Sequence, residues 1–265
     1  MLFAAEAKRM SVPIVALGLK GVTDPALEEF AGKVEYFALG QISKPIARFK
    51  AAGVKRAVMA GKVQHSSIFG GVLPDLRAAK LLAFLPDRRT DTILRAVADE
   101  FSKDGIELIS SATFLSHLLV TEGALTRRRP TDAERADIRL GWAAAKAVAG
   151  FDIGQTVVVK DGAVIAVEAM EGTDAAVLRA RDIARAHGRR PALTVVKVAK
   201  PRQDLRFDIP VLGLDSLRVF ADAGVSALAL QAATTLLFDK DDFLRQADGQ
   251  KLAIVGLPAG GPEAP

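Results

Sequence analysis

The stretch QTVVVKDGAVIAVEA, residues 155–169, constrains the fold of this chain more than any other. Two runs rich in valine and alanine flank Asp161-Gly162. A two-residue Asp-Gly connection between β-prone runs is a strong hairpin signal, because both central residues of the tight turn take positive φ. A helical pattern follows at 175–188, with apolar residues at three- and four-residue spacing and a glycine stop. Short apolar runs at 193–196, 227–230 and 251–255 then alternate with helical segments at 216–223 and 241–246. Strands alternating with helices form a parallel sheet, and a hairpin joined to it makes the sheet mixed.

The N-terminal half keeps a similar rhythm. Strands are expected at 12–19, 36–40 and 56–61, and helices at 42–53, 75–85 and 90–104. The segment LTRRRPTDAERAD (125–137) is polar, carries a proline and ends in an N-cap pair, Thr131 with Glu134. The sequence therefore predicts an α/β protein of two domains. Residues 1–125 form a Rossmann-like parallel domain, 126–134 a linker, 135–258 a second α/β domain with a mixed sheet, and 259–265 a disordered tail.

Composition excludes several chemistries. The 265 residues are 50% hydrophobic and 25% charged, as in a soluble globular protein. With no cysteine, disulfides, thiolate nucleophiles and cysteine-held metals are ruled out. The net charge of +5 suits an anionic ligand or an anionic membrane surface. The one dense cluster, Arg127 to Arg129, reads first as a solvated basic loop, and no nucleic-acid-binding motif accompanies it. The most apolar segment, 224–238, is too short and too polar to span a bilayer, and no secretory signal opens the chain.

The three histidines share no ligand spacing, which argues against a His-rich dinuclear phosphoesterase. His65 lies in a loop where it could touch a ligand. His117 reads as a core or boundary residue and His187 as a solvated helix end. Walker, GxGxxG, GxSxG and Nudix patterns are missing. Leu81, Leu82, Phe84 and Leu85 form an apolar cluster expected to pack in the core.

Three polar clusters interrupt the apolar elements of the second half. DIGQ (152–155) precedes the hairpin, and EAMEGTD (168–174) separates it from the next helix. Gly172 permits a tight turn, and Thr173 or Asp174 can cap the helix, whose free N–H groups either receive a phosphate or are simply capped. VKVAKPRQDLRFDIP (196–210) is the third. In an extended run Asp204, Arg206 and Asp208 share one face, and two carboxylates there can hold a hard cation such as Mg²⁺. Lys197, Lys200 and Arg206 could neutralise phosphate oxygens. The same charges fit a surface ladder worth roughly 0–1 kcal/mol per exposed pair equally well.

Taken together, DIGQTVVVKDGAVIAVEAMEGTDAAVLRARD and VVKVAKPRQDLRFDIPVLGLDSL resemble the UDP-2,3-diacylglucosamine pyrophosphohydrolases of lipid A biosynthesis. The family meant is the metal-dependent one, distinct from the calcineurin-like and Nudix enzymes. AGKVQHSSIFGGVLPD, LLVTEGALTRRRPT and AGVSALALQAATTLLFDKDDFLRQAD extend the likeness over nearly the whole chain. The resemblance implies a two-domain enzyme that needs Mg²⁺ or a similar cation such as Mn²⁺. It would release UMP and 2,3-diacylglucosamine 1-phosphate.

In this resemblance Asp208 of RFDIP is the essential residue, binding metal or activating water. Asp204 is a second catalytic group, and Asp204 and Glu171 are further metal or orienting ligands. Gly154, Gln155, Glu171, Thr173, Asp174, Lys197, Lys200, Gln203, Arg206 and Asp91 are the expected substrate contacts. The partners implied are a lipid-linked nucleotide sugar, the cytoplasmic face of the inner membrane as a peripheral contact, and a second copy in a homodimer, with no nucleic acid. Two departures stand out. The family's opening strand and glycine-rich turn are replaced by what reads as the following helix, so the first sheet is expected to lack that strand. Lys62, Gln64 and His65 also stand where the family carries other residues. A non-catalytic nucleotide-sugar or lipid carrier of the same fold is the alternative.

Overall fold

A computed structural model describes residues 1–61, 73–87, 90–186, 192–200, 204–207 and 209–262, with the side chains of residues 90 and 91 outside that description. The chain divides into two compact units, Met1–Ser116 with Asp204–Asp208, and His117–Gln203 with Ile209–Pro265.

The first unit contains α1 (Leu2–Arg9), β1 (Ala16–Leu19), α2 (Glu28–Ala31), β2 (Val34–Phe37), α3 (Ser43–Ala51), β3 (Arg56–Ala57), α4 (Leu76–Ala83), α5 (Thr90–Lys103) and β4 (Glu107–Leu108). β1 pairs with β2 and β3 with β4, each pair parallel, as the strand–helix rhythm predicts. The strands are shorter than expected. Pro13 lacks the N–H that would start β1 earlier, and β3 pairs over only two residues of β4. Ile42, Ile46, Ala98, Phe101 and Ile106 fill the core, and Phe207 packs against it.

Asp75 holds the starts of two helices. Its Oδ2 accepts from the N–H groups of Ile42 and Ser43 at 2.9 and 2.8 Å, and its Oδ1 from that of Ala78 at 2.8 Å. Burial opposes ionisation here, but the three N–H donors prevail and hold the carboxyl below its usual value. Phe84 departs from the expected core role. It follows the last residue of α4 and is 79% exposed, because the helix turns Ala78 inward instead. His117 is likewise exposed rather than buried, in a short turn at Ser116–Leu118. His65 and His187 lie outside the described residues.

The second unit runs β5 (Gly123–Ala124), α6 (Asp132–Gly150), β6 (Thr156–Lys160), β7 (Ala163–Val167), α7 (Thr173–Ala186), β8 (Leu193–Lys197), β9 (Val211–Leu212), α8 (Leu214–Ala223), β10 (Val225–Gln231), β11 (Leu236–Leu237), α9 (Lys240–Gly249) and β12 (Ala253–Leu257). Its sheet has the order β5-β12-β10-β8-β6-β7. β12, β10 and β8 are parallel, while β6, β7 and β5 run against their neighbours, so the sheet is mixed as expected. The hairpin forms at Asp161 (φ 50°) and Gly162 (φ 77°), both in the positive-φ region that its two-residue turn demands.

Alternation along the strands builds two cores. Val157, Val159, Val196 and Ala229 face α6, whose Trp142 and Ala145 cover them. Val158, Val195, Leu228 and Leu230 face the other way, toward Val177 of α7 and Phe220 of α8. Residues 126–134 belong to this unit. Thr131 and Glu134 form the expected capping box, and Arg128 reaches Glu134 at 2.7 Å. Thr126 Oγ1 accepts from Ile254 N–H at 2.8 Å. Beyond β12, Gly261 closes a turn on Pro258 and lies against Trp142, so close that a Cβ there would meet the indole nitrogen at 2.5 Å. Among the described residues, no helix is long and apolar enough to cross a membrane.

Candidate active site

The polar clusters at 152–155 and 168–174 meet Lys197, from the start of the third, at the carboxyl end of β8 in the second unit. Thr156 pairs with Lys197 in the β6–β8 ladder, and the period of two places Lys197 beside Val195 on the α7 face. The Lys197 residue is only 6% exposed. Its ammonium donates to Thr173 Oγ1 at 2.8 Å and to Thr156 Oγ1 at 3.2 Å. Thr173 is the first residue of α7, and its hydroxyl donates to Glu168 Oε1 at 2.8 Å. The other oxygen, Glu168 Oε2, accepts from Gln155 N–H at 3.2 Å and lies 3.9 Å from the Lys197 ammonium. A hydroxyl has one proton, so Thr173 gives its proton to Glu168 and receives one from Lys197.

The backbone around this relay is tight. Gly154 passes so close to Glu168 that a Cβ would sit 1.9 Å from its carbonyl oxygen. Gly172, with φ 85°, turns the chain into α7. The first-turn N–H groups of α7 have no acceptor inside the helix, and the positive end of its dipole lies beside a buried ammonium. Asp174 Oδ1 is buried there and makes no hydrogen bond among the described residues. A buried cation, a helix N-terminus and a glycine turn at the ends of parallel strands form the setting in which α/β proteins bind phosphorylated ligands.

Comparison with known proteins places the chain in a family. The family model described as "LpxI N-terminal domain" matches residues 1–118, and the one described as "LpxI C-terminal domain" matches residues 121–255. The chain is also 31% identical, over 245 residues, to the UDP-2,3-diacylglucosamine pyrophosphatase LpxI of Caulobacter vibrioides, covering 90% of this chain and 86% of that protein. The chain belongs to the LpxI family. The two family models meet within a few residues of the boundary between the compact units.

Within this LpxI-family chain the residues singled out in the sequence divide into groups. Gly154, Gln155, Thr173, Asp174 and Lys197 come together at the end of β8. Glu171 faces elsewhere. Its carboxylate accepts from Ala169 N–H at 3.0 Å and from Arg179 at 2.8 Å, and hydrogen bonds from its own backbone N–H and from Arg179 hold it below the usual carboxylate range. The acid at the centre is Glu168, three residues earlier. Lys200 pairs with Asp152, also in the second unit.

Asp204 and Arg206 belong to the first unit. They do not lie on an extended strand. Phe207 N–H closes a turn on Asp204 O at 3.0 Å, and the Arg206 guanidinium grips both oxygens of Asp204, at 2.9 and 2.7 Å. That grip holds Asp204 well ionised and raises Arg206 in turn. Arg206 also stacks on Phe207, 4.8 Å from its ring centroid. Asp208 and Gln203 lie outside the described residues, as do Lys62 and Gln64; Asp91 lies in α5 with its side chain outside the description.

Asp204 is held by Arg206 in the first unit, and Glu171 by Arg179 in the second. Among the described residues no three histidines or acids gather as a metal site. Sequence reasoning missed Glu168 and Thr156. A signal existed for the first: Glu168 is the polar residue directly following an apolar strand. A cavity of about 590 Å³ lies apart in the first unit, between Arg77, Lys80, Leu81, Phe84 and Lys103.

Proposed function

We propose that this chain hydrolyses the pyrophosphate bond of UDP-2,3-diacylglucosamine, yielding UMP and 2,3-diacylglucosamine 1-phosphate. The observation that carries the reading is the Lys197 ammonium, buried under the N-terminus of α7 and braced by Thr156, Thr173 and Glu168. Phosphoryl transfer asks little covalent chemistry of a protein, and catalysis comes from positioning and from preorganised charge. Lys197 and the first-turn N–H groups of α7 would stabilise the negative charge that grows on the phosphate oxygens as the P–O bond breaks. Glu168 and the two threonines fix the ammonium, so it need not reorganise during reaction. Membership in the LpxI family, and the printed name of the Caulobacter relative, support the substrate.

The lipid half of this substrate also finds a match. Phe151, Ile153 and Met170 are 80%, 51% and 99% exposed, on the two loops that Gly154 and Glu168 bring together. These apolar tips beside the relay suit acyl chains presented at the cytoplasmic surface of the inner membrane. A requirement for Mg²⁺ or Mn²⁺ belongs to the same proposal, with Asp208 as its ligand.

Mass spectrometry of the substrate incubated with the protein in ¹⁸O water, with and without EDTA, tests the reading. UMP and the sugar 1-phosphate should appear only with metal, and Asp208→Asn should abolish them. Intact substrate under full conditions would sink the hydrolase reading; saturable binding of that intact substrate would favour a carrier.

A further inference from the structure

A second lysine stands at the same edge of the sheet, on its opposite face. Lys146 lies on α6, and its ammonium is 5.7 Å from the Trp142 ring centroid. It donates to Gln231 Oε1 at 2.8 Å and to Ala199 O at 3.3 Å. Gln231 ends β10 and Ala199 follows β8, so the ammonium sits where two central parallel strands finish. Gln231 is 5% exposed, and its oxygen also accepts from Ala199 N–H at 3.0 Å, so both lone pairs are taken.

Every partner given for Lys146 is neutral. Other partly buried cations of this unit face acids: Arg128 faces Glu134, Lys200 faces Asp152 and Lys160 faces Asp161. Among the described residues Lys146 has no carboxylate. Burial alone holds its ammonium below the ordinary lysine range. Buried charges are ordinarily paired, and a charge kept without a protein counter-ion at the mouth of a ligand site is matched when an anion arrives.

We propose that Lys146 is an anion-binding residue, donating to a phosphate oxygen of a diphosphate ligand at the carboxyl end of β8. Lys197 serves the α7 face of that end and Lys146 the α6 face, where it holds the carbonyl of Ala199, two residues beyond Lys197. The ligand class rests on the pyrophosphatase reading; the binding site itself does not require turnover.

The test is therefore an equilibrium titration of the full chain with inorganic pyrophosphate, followed by calorimetry, for wild type, Lys146→Gln and Lys146→Arg. Glutamine keeps an N–H for Ala199 O and loses the charge. Lys146→Gln should weaken binding about tenfold or more, and Lys146→Arg by no more than about threefold. Thermal midpoints should stay together, which a purely structural role would not allow. Equal binding by the glutamine variant, equal loss in both variants, or no binding by wild type overturns the proposal.

A measurement on the unaltered chain covers a variant that fails to fold. In competitive acetylation mapped by mass spectrometry, pyrophosphate should protect Lys146 but not the exposed Lys251, and no protection of Lys146 overturns the proposal. Wild type that binds pyrophosphate yet releases no UMP would defeat the hydrolase reading and leave this inference standing.

Discussion

Gly154→Ala tests the geometry of the relay most sharply. The new Cβ would lie 1.9 Å from the Glu168 carbonyl oxygen and 2.6 Å from its carbon. Ordinary C···O contacts are about 3.3 Å or more, so one backbone must retreat by about 1.4 Å. No positive φ is involved at Gly154, so the effect isolates crowding from backbone strain. Forcing one methyl into such a contact costs about 1–3 kcal/mol, offset by roughly 0.4–1 kcal/mol from a less flexible unfolded chain. The expected net loss is about 1–2 kcal/mol, or about 2–8 °C in Tm for a chain of this size.

The retreat would act on Glu168 first, because Gln155 N–H and Thr156 O both bond to that residue. Its carboxylate would leave Thr173, and the ammonium of Lys197 would lose its brace. UMP release should therefore fall by more than the folded fraction does. Scanning calorimetry and the release assay, run on one preparation, give both numbers. A variant with wild-type Tm and wild-type turnover would refute the close approach and the dependence of the site on it.

Other expectations follow from the same packing. Asp75→Ala removes the cap of both α3 and α4 and should cost about 2 kcal/mol, at about 1 kcal/mol per cap, in urea denaturation followed by circular dichroism. Gly141→Ala gains about 1 kcal/mol of helix propensity but puts a Cβ 2.6 Å from Val196 Cγ2, so the variant should be less stable by about 1 kcal/mol; a rise in Tm would contradict the contact. Burial favours the neutral form of Glu134, but Arg128, Ser226 and Thr131 N–H outweigh it and hold the carboxyl low. Its stabilisation is present above the ordinary glutamate pKa and lost as pH falls through the depressed one, so the gap in Tm between wild type and Glu134→Gln should be widest near neutrality and close in acid. Thr173→Val should cut pyrophosphatase turnover strongly while Thr173→Ser retains most of it, since the hydroxyl bridges Lys197 and Glu168.

What the sequence reveals depends on how local each feature is. The Asp161-Gly162 hairpin and the Thr131–Glu134 cap are settled by neighbours, and both form as expected. The cluster at 168–174 is legible because a glycine turn followed by a threonine announces a helix start, and the one at 152–155 because it directly precedes the hairpin. That Glu168 and not Glu171 turns toward Lys197 has a physical reason. In a turn closed by Gly172 at positive φ, spacing does not say which carboxylate points inward, and Arg179 draws Glu171 away. Lys146 and Gln231 are 85 residues apart, and nothing local marks either one. The run 204–207 misleads because its arginine folds back onto its own aspartate, so a pattern read as a shared face closes into a turn.

The relay also explains why a buried lysine at this position is compatible with binding an anion. A close ion pair between Lys197 and Glu168 would oppose the charge that a phosphate needs. The ammonium and Glu168 Oε2 form a long ion pair at 3.9 Å, with the Thr173 hydroxyl between the two groups at 2.8 Å from the nitrogen and 2.8 Å from Glu168 Oε1. The threonine satisfies both groups by hydrogen bonds while separating their charges, and polarisation along the chain strengthens each link. The hydroxyl of the first residue of α7 is thus the one that orients the lysine, which ties the fold of this loop to the chemistry proposed for it.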